Sequence, residues 1–166
     1  MFKRIGLTAA AVLFALASIG SAAHAGKWED ATKAFAKKEY ERALKLFRPL
    51  AEKGNALAQY RIAKMHQMGL GVSKDAKEAK KWGKLAAKQG NADAQLLMGS
   101  LYYKAEGGES PDALRAYVWY DASAEQGSAE AKKEIALITK DMTPQQLTDA
   151  REKAQKCKAS KYEQCD

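Results

Sequence analysis

One short motif occurs three times in this chain, and this repetition constrains the fold more than any other feature. The motif Gly-Asn-Ala-x-Ala-Gln occupies residues 54–59 and 90–95, and a partial copy, Gly-Ser-Ala-Glu-Ala, occupies 127–131. The spacings of 36 and 37 residues indicate stacked repeats, each of which buries its apolar face against its neighbours. We therefore predict an all-α fold, an α/α superhelical solenoid of antiparallel helix pairs.

Each copy of the motif joins the end of one helix to the start of the next. Glycine adopts the left-handed backbone conformation that closes a helix. The residue that follows, Asn55, Asn91 or Ser128, has a side-chain oxygen able to cap the next helix. The turn between the two helices is therefore very short, and the helices must be antiparallel neighbours.

Capping residues and prolines mark further helix starts. These signals are Asp75 with Glu78, Ser110 followed by Pro111, and Thr143-Pro144 with Gln146. Together with apolar residues at helical spacing, the signals predict eight helices. We place them at 28–37, 40–53, 55–68, 75–89, 91–105, 111–126, 128–139 and 144–157.

Several positions within the repeats resemble a known family. The Ala-x-Ala-Gln motif, Met98-Gly99-x-x-Tyr102, the Gly-x-Gly-Val loop at 69–72 and Trp82 resemble Sel-one-like repeats, relatives of the tetratricopeptide repeat, over about residues 40–139. The third unit lacks the glycine loop, which indicates a terminal cap. The resemblance implies an α/α superhelix used for protein interactions, and it implies no catalytic residues.

The N-terminus has the pattern of a cleaved signal peptide. Lys3 and Arg4 precede an apolar run over 5–19, and Ala23-His24-Ala25 provides small residues at the spacing that signal peptidase requires. The run is short for a membrane span. We therefore predict cleavage after Ala25 and export to the periplasm, with secretion outside the cell as the alternative.

The remaining chain is long enough for one domain with a continuous core. We expect a helical-repeat domain over 26–157 and a tail over 158–166. Within the domain we assign an N-terminal capping helix pair to 26–53, repeats to 54–89 and 90–126, and a C-terminal partial repeat and cap to 127–157.

Both cysteines, Cys157 and Cys165, lie close to the C-terminus. In an oxidising compartment an even number of cysteines favours a disulfide, although free thiols stay open as an alternative. A metal site is disfavoured because two cysteines without a nearby histidine provide too few ligands. We predict no cofactor and no metal.

The candidate binding surface comes from analogy with related solenoids. In those proteins the helices equivalent to 55–68 and 91–105 form the inner, concave wall, and aromatic, Met and Arg side chains are enriched at interface centres. Some of the candidates must instead pack between repeats. The candidate contact residues are Tyr60, Arg61, Lys64, Met65, Leu97, Leu101, Tyr103 and Lys104.

The charge balance suggests a second surface. The chain has 28 basic and 20 acidic side chains, a formal charge of +8, and loss of Lys3 and Arg4 with the signal peptide would leave +6. Four lysines follow one side of the helix at 75–89, which indicates either a docking face for an anionic envelope component or an ordinary solvated face. No nucleic-acid-binding motif is present. The four lysines are Lys77, Lys81, Lys84 and Lys88.

The sequence contains no recognisable catalytic set. His66 is the one histidine of the predicted mature chain, and its repeat equivalent is Tyr102, so we interpret it as a packing residue. Ser-x-x-Lys, Walker, dinucleotide-binding and His-Glu-x-x-His motifs are absent. We predict a non-catalytic periplasmic module that binds a protein or peptide on its concave face. The alternative is a cell-wall hydrolase or a protein that binds peptidoglycan or β-lactams.

Overall fold

The computed structural model describes residues 26–106 and 110–165, and in these ranges it contains helices and no strand. This confirms the predicted all-α fold, and helix ends agree with the predicted ones to within two residues. The predicted signal peptide at 1–25 lies outside the described residues. The helices are α1 (26–36), α2 (Tyr40–Glu52), α3 (Ala56–Met68), α4 (Ala76–Lys88), α5 (Ala92–Tyr103), α6 (Ala113–Glu125), α7 (Ala129–Ile138) and α8 (Pro144–Ala159), with a 3-10 turn at Thr139–Asp141.

From α2 to α7, helices that follow one another pack together, and contacts between hairpins join them into a stack. Helix α3 contacts α5 as well as α4, and α6 contacts α8 as well as α7. We call the surface of α3, α5 and α7 the odd-helix face, and the surface of α2, α4, α6 and α8 the even-helix face. None of the helices within the described ranges is both long and apolar enough to cross a membrane.

The tight turns form as the repeated motif predicts. Gly54, Gly90 and Gly127 have φ angles of 88°, 80° and 95°, in the left-handed region that favours glycine. The residue after each glycine accepts a hydrogen bond from the backbone N–H three residues later, at 2.9, 2.8 and 3.2 Å respectively. The observed turns therefore confirm the helix stop and start signals that predicted antiparallel hairpins.

The start of α6 differs from the prediction. We expected Ser110 as the cap and Pro111 as the first helical residue, but the helix begins at Ala113. Asp112 is the cap, because one carboxylate oxygen accepts from the Arg115 backbone N–H at 2.8 Å and the other accepts from the Arg115 side chain at 2.8 Å. A carboxylate that binds two groups of the first turn therefore replaces the predicted hydroxyl cap.

The cap of α4 is only partly as predicted. Asp75 accepts hydrogen bonds from the backbone N–H groups of Lys77 and Glu78, at 2.9 and 3.0 Å. The Glu78 carboxylate does not return a bond to the cap; it accepts from Lys81 Nζ at 2.9 Å and from Trp82 Nε1 at 3.1 Å. At the start of α8 both bonds of the predicted capping box are present.

The glutamine of the repeated motif links neighbouring hairpins through buried hydrogen bonds. Gln59 Nε2 donates to the carbonyl oxygen of Ala51 at 3.0 Å, and Gln59 Oε1 accepts from Gln89 Nε2 at 2.7 Å. Each such glutamine thus connects the end of the helix before it to the end of the helix after it. The same pattern recurs one repeat later with Ala87, Gln95 and Gln126.

The C-terminal segment folds back onto the stack. Cys157 and Cys165 are joined by a disulfide, and α8 continues to Ala159, so the predicted boundary between domain and tail falls within a helix. The Glu163 carboxylate pairs with Lys88 at the end of α4. The disulfide loop therefore contacts the α4–α5 hairpin, whereas α8 itself packs on α6.

Candidate functional site

A groove of about 560 Å³ lies on the odd-helix face. Helices α3, α5 and α7 all contribute to its walls, and Tyr120 of α6 also lines it. We call this feature the groove. Its lining residues are Tyr60, Lys64, Gln67, Met68, Lys74, Asp93, Leu96, Leu97, Ser100, Lys104, Glu106, Tyr120, Glu130 and Glu134.

The repeat geometry produces the groove. With spacings of 36 and 37 residues, Asp93 and Glu130 occupy the same repeat position, as do Leu97 and Glu134. Lys64 and Ser100 form a third equivalent pair. The groove therefore consists of the same helix surface presented by successive hairpins, and its chemistry varies because the side chains differ between repeats.

Half of the predicted contact residues line the groove. Tyr60, Lys64, Leu97 and Lys104 all contribute to its walls, although Leu97 is nearly buried. All four lie on α3, on α5 or directly after α5, the two helices that analogy with related solenoids selected.

Two predicted contact residues are not surface residues. Met65 and Leu101 are both 0% exposed and belong to the hydrophobic core. The expectation that they face a ligand is therefore wrong. They occupy the same repeat position, so one physical reason explains both: this side of each odd-numbered helix packs inside the molecule.

The remaining two predicted residues lie outside the groove. The Arg61 guanidinium is 5.7 Å from the centre of the Phe35 ring and 5.8 Å from the centre of the Tyr60 ring, so it packs toward α1. Tyr103 lines a separate cavity of about 380 Å³, together with Leu114 of α6 and Met142. Their role in binding stays a prediction.

Tyr120 is a groove residue that the sequence did not identify. It lies on α6, is 1% exposed, and its hydroxyl hydrogen-bonds Ser100. Its ring packs directly on the α5 backbone, because a Cβ at Gly99 would lie 2.4 Å from the Tyr120 ring. The equivalent position one repeat earlier is Gly83. The sequence signal that could have identified Tyr120 is this replacement of a glycine in one repeat by a tyrosine in the next.

Burial and the charge of carboxylates raise the pKa of both groove tyrosines. Burial raises the pKa of Tyr60, and the negative charge of Asp93 raises it further. Burial likewise raises the pKa of Tyr120 well above its usual value, with a further contribution from the charge of Glu134. Both phenols therefore stay protonated at neutral pH.

The four predicted stripe lysines lie on α4, on the even-helix face. Lys77 and Lys81 are exposed, whereas Lys84 and Lys88 are half-buried. Lys81 pairs with Glu78 at 2.9 Å, and Lys88 pairs with a carboxylate of the C-terminal loop. At least two of the four charges are thus engaged within the protein, and anionic docking at this stripe stays a prediction.

His66 is buried, with 5% of its surface exposed, and neither ring nitrogen has a hydrogen-bond partner among the described residues. Burial lowers its pKa, so the imidazole is neutral at pH 7. Its position in the core matches the interpretation as a packing residue. No group of His, Cys, Asp and Glu within the described ranges is arranged to hold a metal ion.

Comparisons with solved structures show the same architecture. The crystal structure of c5321, a protective antigen of uropathogenic Escherichia coli with an SLR fold, has a TM-score of 0.75 and 26% identity, covering 84% of this chain and 31% of that one. A Sel1 repeat protein from Oxalobacter formigenes has a TM-score of 0.61 and 34% identity, covering 66% of this chain and 44% of that one. This chain thus spans less than half of either protein. No curated protein matches it.

The Sel1 repeat family model matches residues 30–55, 56–91 and 92–128, more than half of the chain. The second and third matches are offset by two residues from the predicted repeats, and the first covers most of the helix pair that we assigned to an N-terminal cap. Together with the similar solved structures, these matches confirm the solenoid fold of stacked helix pairs. The chain belongs to the Sel1 repeat family.

Proposed function

We propose that this protein is a non-catalytic interaction module that binds a segment of another protein in the groove. Sel1 repeat proteins are generally scaffolds for protein–protein interaction, and this generality supports the proposal. The groove is the proposed binding site for this segment. It is formed by three stacked helices, so a partner segment lying across it would contact successive repeats at once.

One observation carries the proposal. The described residues include four large apolar side chains that are strongly exposed: Leu57 at 50%, Met68 at 56%, Leu85 at 44% and Leu137 at 51%. Met68 lines the groove, and the repeat equivalents of Leu57 and Leu137 also line it. Met68 is therefore part of the groove, and Leu57 and Leu137 lie beside it on the odd-helix face, at repeat positions that line the groove on α5. Exposed apolar patches bordered by polar residues are typical of protein interaction sites.

A peptide selection tests this proposal with a matched control. A random dodecamer library is selected against the purified protein, and the enriched peptides are measured for binding to two variants. In the first variant Leu57, Met68 and Leu137 are replaced by Ser; in the control only Leu85, on the even-helix face, is replaced by Ser. We expect the first variant to lose about tenfold or more in affinity, because apolar contact area is removed, and the control to bind normally.

Two results would contradict the proposal. The library could yield no peptide that binds the folded protein, or the Leu85 variant could lose as much affinity as the triple variant. Circular dichroism on all variants shows that each stays folded. The substituted side chains are all strongly exposed, so stability changes within about 0.5 kcal/mol are expected.

We further propose that the module acts outside the cytoplasm, most simply in the periplasm. The N-terminal pattern at 1–25 and the disulfide between Cys157 and Cys165 both support an oxidising compartment. Cell fractionation with N-terminal sequencing tests this. We expect a mature protein that begins at Gly26 in the periplasmic fraction, whereas an intact Met1 in the cytoplasm would contradict it.

A further inference from the structure

One end of the groove is acidic although the chain as a whole carries a formal charge of +8. Asp93 of α5 and Glu130 of α7 line this end near the starts of their helices, and Glu134 lines it one turn further along α7. Glu130 has an ion pair at 3.6 Å with Lys133 of the same helix, and both side chains are more than half exposed. The acidic end thus contributes three carboxylates to the lining and no basic residue.

Helix electrostatics explain only part of this cluster. Asp93 and Glu130 lie in the first turns of α5 and α7, where a negative charge stabilises the positive end of the helix dipole. Glu134 lies one turn further along α7, where this effect has decayed, and its repeat equivalent is the apolar Leu97. A third carboxylate on the groove is therefore not required by the helices.

The opposite end of the groove is basic. Lys74 and Lys104 line this end, Lys104 directly after the last residue of α5, and Lys64, at the repeat position of Ser100, lines the groove about one helical turn before Lys104. Glu106 is the one carboxylate among the lining residues at this end, and it lies 3.7 Å from Lys74. Three lysines against one carboxylate leave a net positive end. The groove therefore has a charge gradient along α5, from Asp93 to Lys104.

The length of α5 sets the distance between the two charged ends. Asp93 and Lys104 are eleven positions apart, and a rise of about 1.5 Å per helical residue separates them by ~16 Å. An extended chain spans this distance with about five residues, at ~3.3 Å each. Between the two ends the groove offers Tyr60, Leu96 and Leu97. A complementary segment would place apolar or aromatic side chains there.

We infer that the partner of the groove is a protein segment with a Lys or Arg at one end, an Asp or Glu about five residues away, and apolar residues between them. The basic side chain binds Asp93 and Glu134, and the acidic side chain binds Lys64 and Lys104. This inference rests on the proposed function, since it specifies the segment that the groove binds. Complementary charges at both ends also fix the orientation of the segment.

The peptides selected in the experiment above test the inference, because a random library imposes no charge pattern. We expect enrichment of Lys or Arg at one position and of Asp or Glu four to six positions away. The double variant Asp93→Asn/Glu134→Gln should bind these peptides about tenfold more weakly, and so should Lys64→Gln/Lys104→Gln. A selection repeated on the first variant should lose the preference for basic residues and keep the preference for acidic ones.

Matched controls remove the same charges from the even-helix face. They are Glu41→Gln/Glu152→Gln for the carboxylates and Lys45→Gln/Lys153→Gln for the lysines, all at exposed positions. Both control variants should bind like the unmodified protein. If Asp93→Asn disturbs the start of α5, the single variant Glu134→Gln, beyond the first turn of α7, gives the same test alone.

The outcomes separate the two proposals. Peptides that require Leu57, Met68 and Leu137 but show no paired charges, or that bind both groove charge variants normally, overturn the inference and leave groove binding intact. Peptides that show no dependence on the groove overturn both. Peptides that carry the paired charges, and that lose affinity for the groove charge variants but not for the control variants, support the inference.

Discussion

At the scale of single residues, the positions that break the repeat pattern have the clearest roles. His66 stands where the next repeat has Tyr102, and Tyr120 stands where the previous repeat has Gly83. In the first case a polar ring is buried in the core without hydrogen-bond partners among the described residues. In the second case a tyrosine extends beneath the groove because Gly99 leaves room for its ring.

Burial of His66 makes stability depend on pH. Its pKa is lower in the folded protein than the usual value near 6.5, chiefly because burial disfavours the charged ring. Below about pH 6.5 the unfolded chain therefore binds a proton that the folded chain does not, so the free energy of unfolding decreases as the pH is lowered. The decrease is at most about 1.4 kcal/mol for each unit by which the folded-state pKa lies below the unfolded one. Urea unfolding between about pH 8 and 5 measures this.

The matched variant for this prediction is His66→Phe, which keeps a ring of similar size. It should lack the loss of stability between about pH 7 and 5. Asp75 and Glu78 oppose the effect by favouring the charged imidazole, and hydrogen bonds lower their own pKa values, so they titrate below this window. Parallel pH profiles for the two proteins would show that His66 has no such role.

Contact between Gly99 and Tyr120 predicts a coupled pair. A Cβ at position 99 would lie 2.4 Å from the Tyr120 ring, so Gly99→Ala should destabilise the protein by about 1–3 kcal/mol through overpacking. In a Tyr120→Ala background the same substitution should cost much less, because the ring is gone. A double-mutant cycle by thermal unfolding measures the coupling. Costs that simply add would contradict the contact.

At the scale of the helices, local sequence predicted most of the structure. The glycine turns and the caps at Asn55, Asn91 and Ser128 follow from the chemistry of one or two residues, so they could be identified directly. The start of α6 could not, since Ser110, Pro111 and Asp112 all carry start signals. The choice of Asp112 depends on its two contacts with Arg115, which only the folded turn shows.

The buried glutamine of the repeat motif gives a prediction about how hairpins are joined. Gln95 is 0% exposed and bonds both to the carbonyl oxygen of Ala87 and to Gln126. Replacing Gln95 by Leu removes both bonds, while the Ala87 carbonyl oxygen keeps the Gly90 N–H at 3.0 Å, and should cost about 1–3 kcal/mol of unfolding free energy, since each lost hydrogen bond contributes about 0.5–1.5 kcal/mol. Gln145→Leu, on the exposed start of α8, is the control and should change stability by less than about 0.5 kcal/mol. Equal costs in urea unfolding would contradict the link.

At the scale of the whole molecule, stacking decides which surfaces are exposed, and this was only partly accessible from sequence. Periodicity and analogy selected α3 and α5 as binding helices, and Tyr60, Lys64, Leu97 and Lys104 do line the groove. Periodicity and analogy did not distinguish the inward side of each helix from its exposed side, so Met65 and Leu101 were wrongly predicted to contact a ligand. They also missed the carboxylates of α7 and the phenol of Tyr120, because these reach the groove only once the third hairpin is stacked.

The disulfide closes the C-terminal loop, whose Glu163 pairs with Lys88 of α4, and it should stabilise the whole molecule. Cys157 and Cys165 are separated by eight positions, and closing a loop of this size stabilises a protein by about 2–3 kcal/mol in the loop-entropy model. Replacing both cysteines by Ala should lower the unfolding free energy by that amount. Hydrogen exchange should also increase around Gly90, where the Tyr162 ring packs. Unchanged stability and exchange would show that the loop contributes nothing.

The location of the binding surface is the central claim, and amide chemical-shift mapping tests it most directly. The isotope-labelled protein is titrated with the tightest dodecamer from the peptide selection. We expect the largest shift changes at groove residues of α3, α5 and α7, such as Lys64, Ser100 and Glu134, with little change on α4 and α8. Shift changes confined to the even-helix face, around Leu85 and the lysines beside it, would contradict the account.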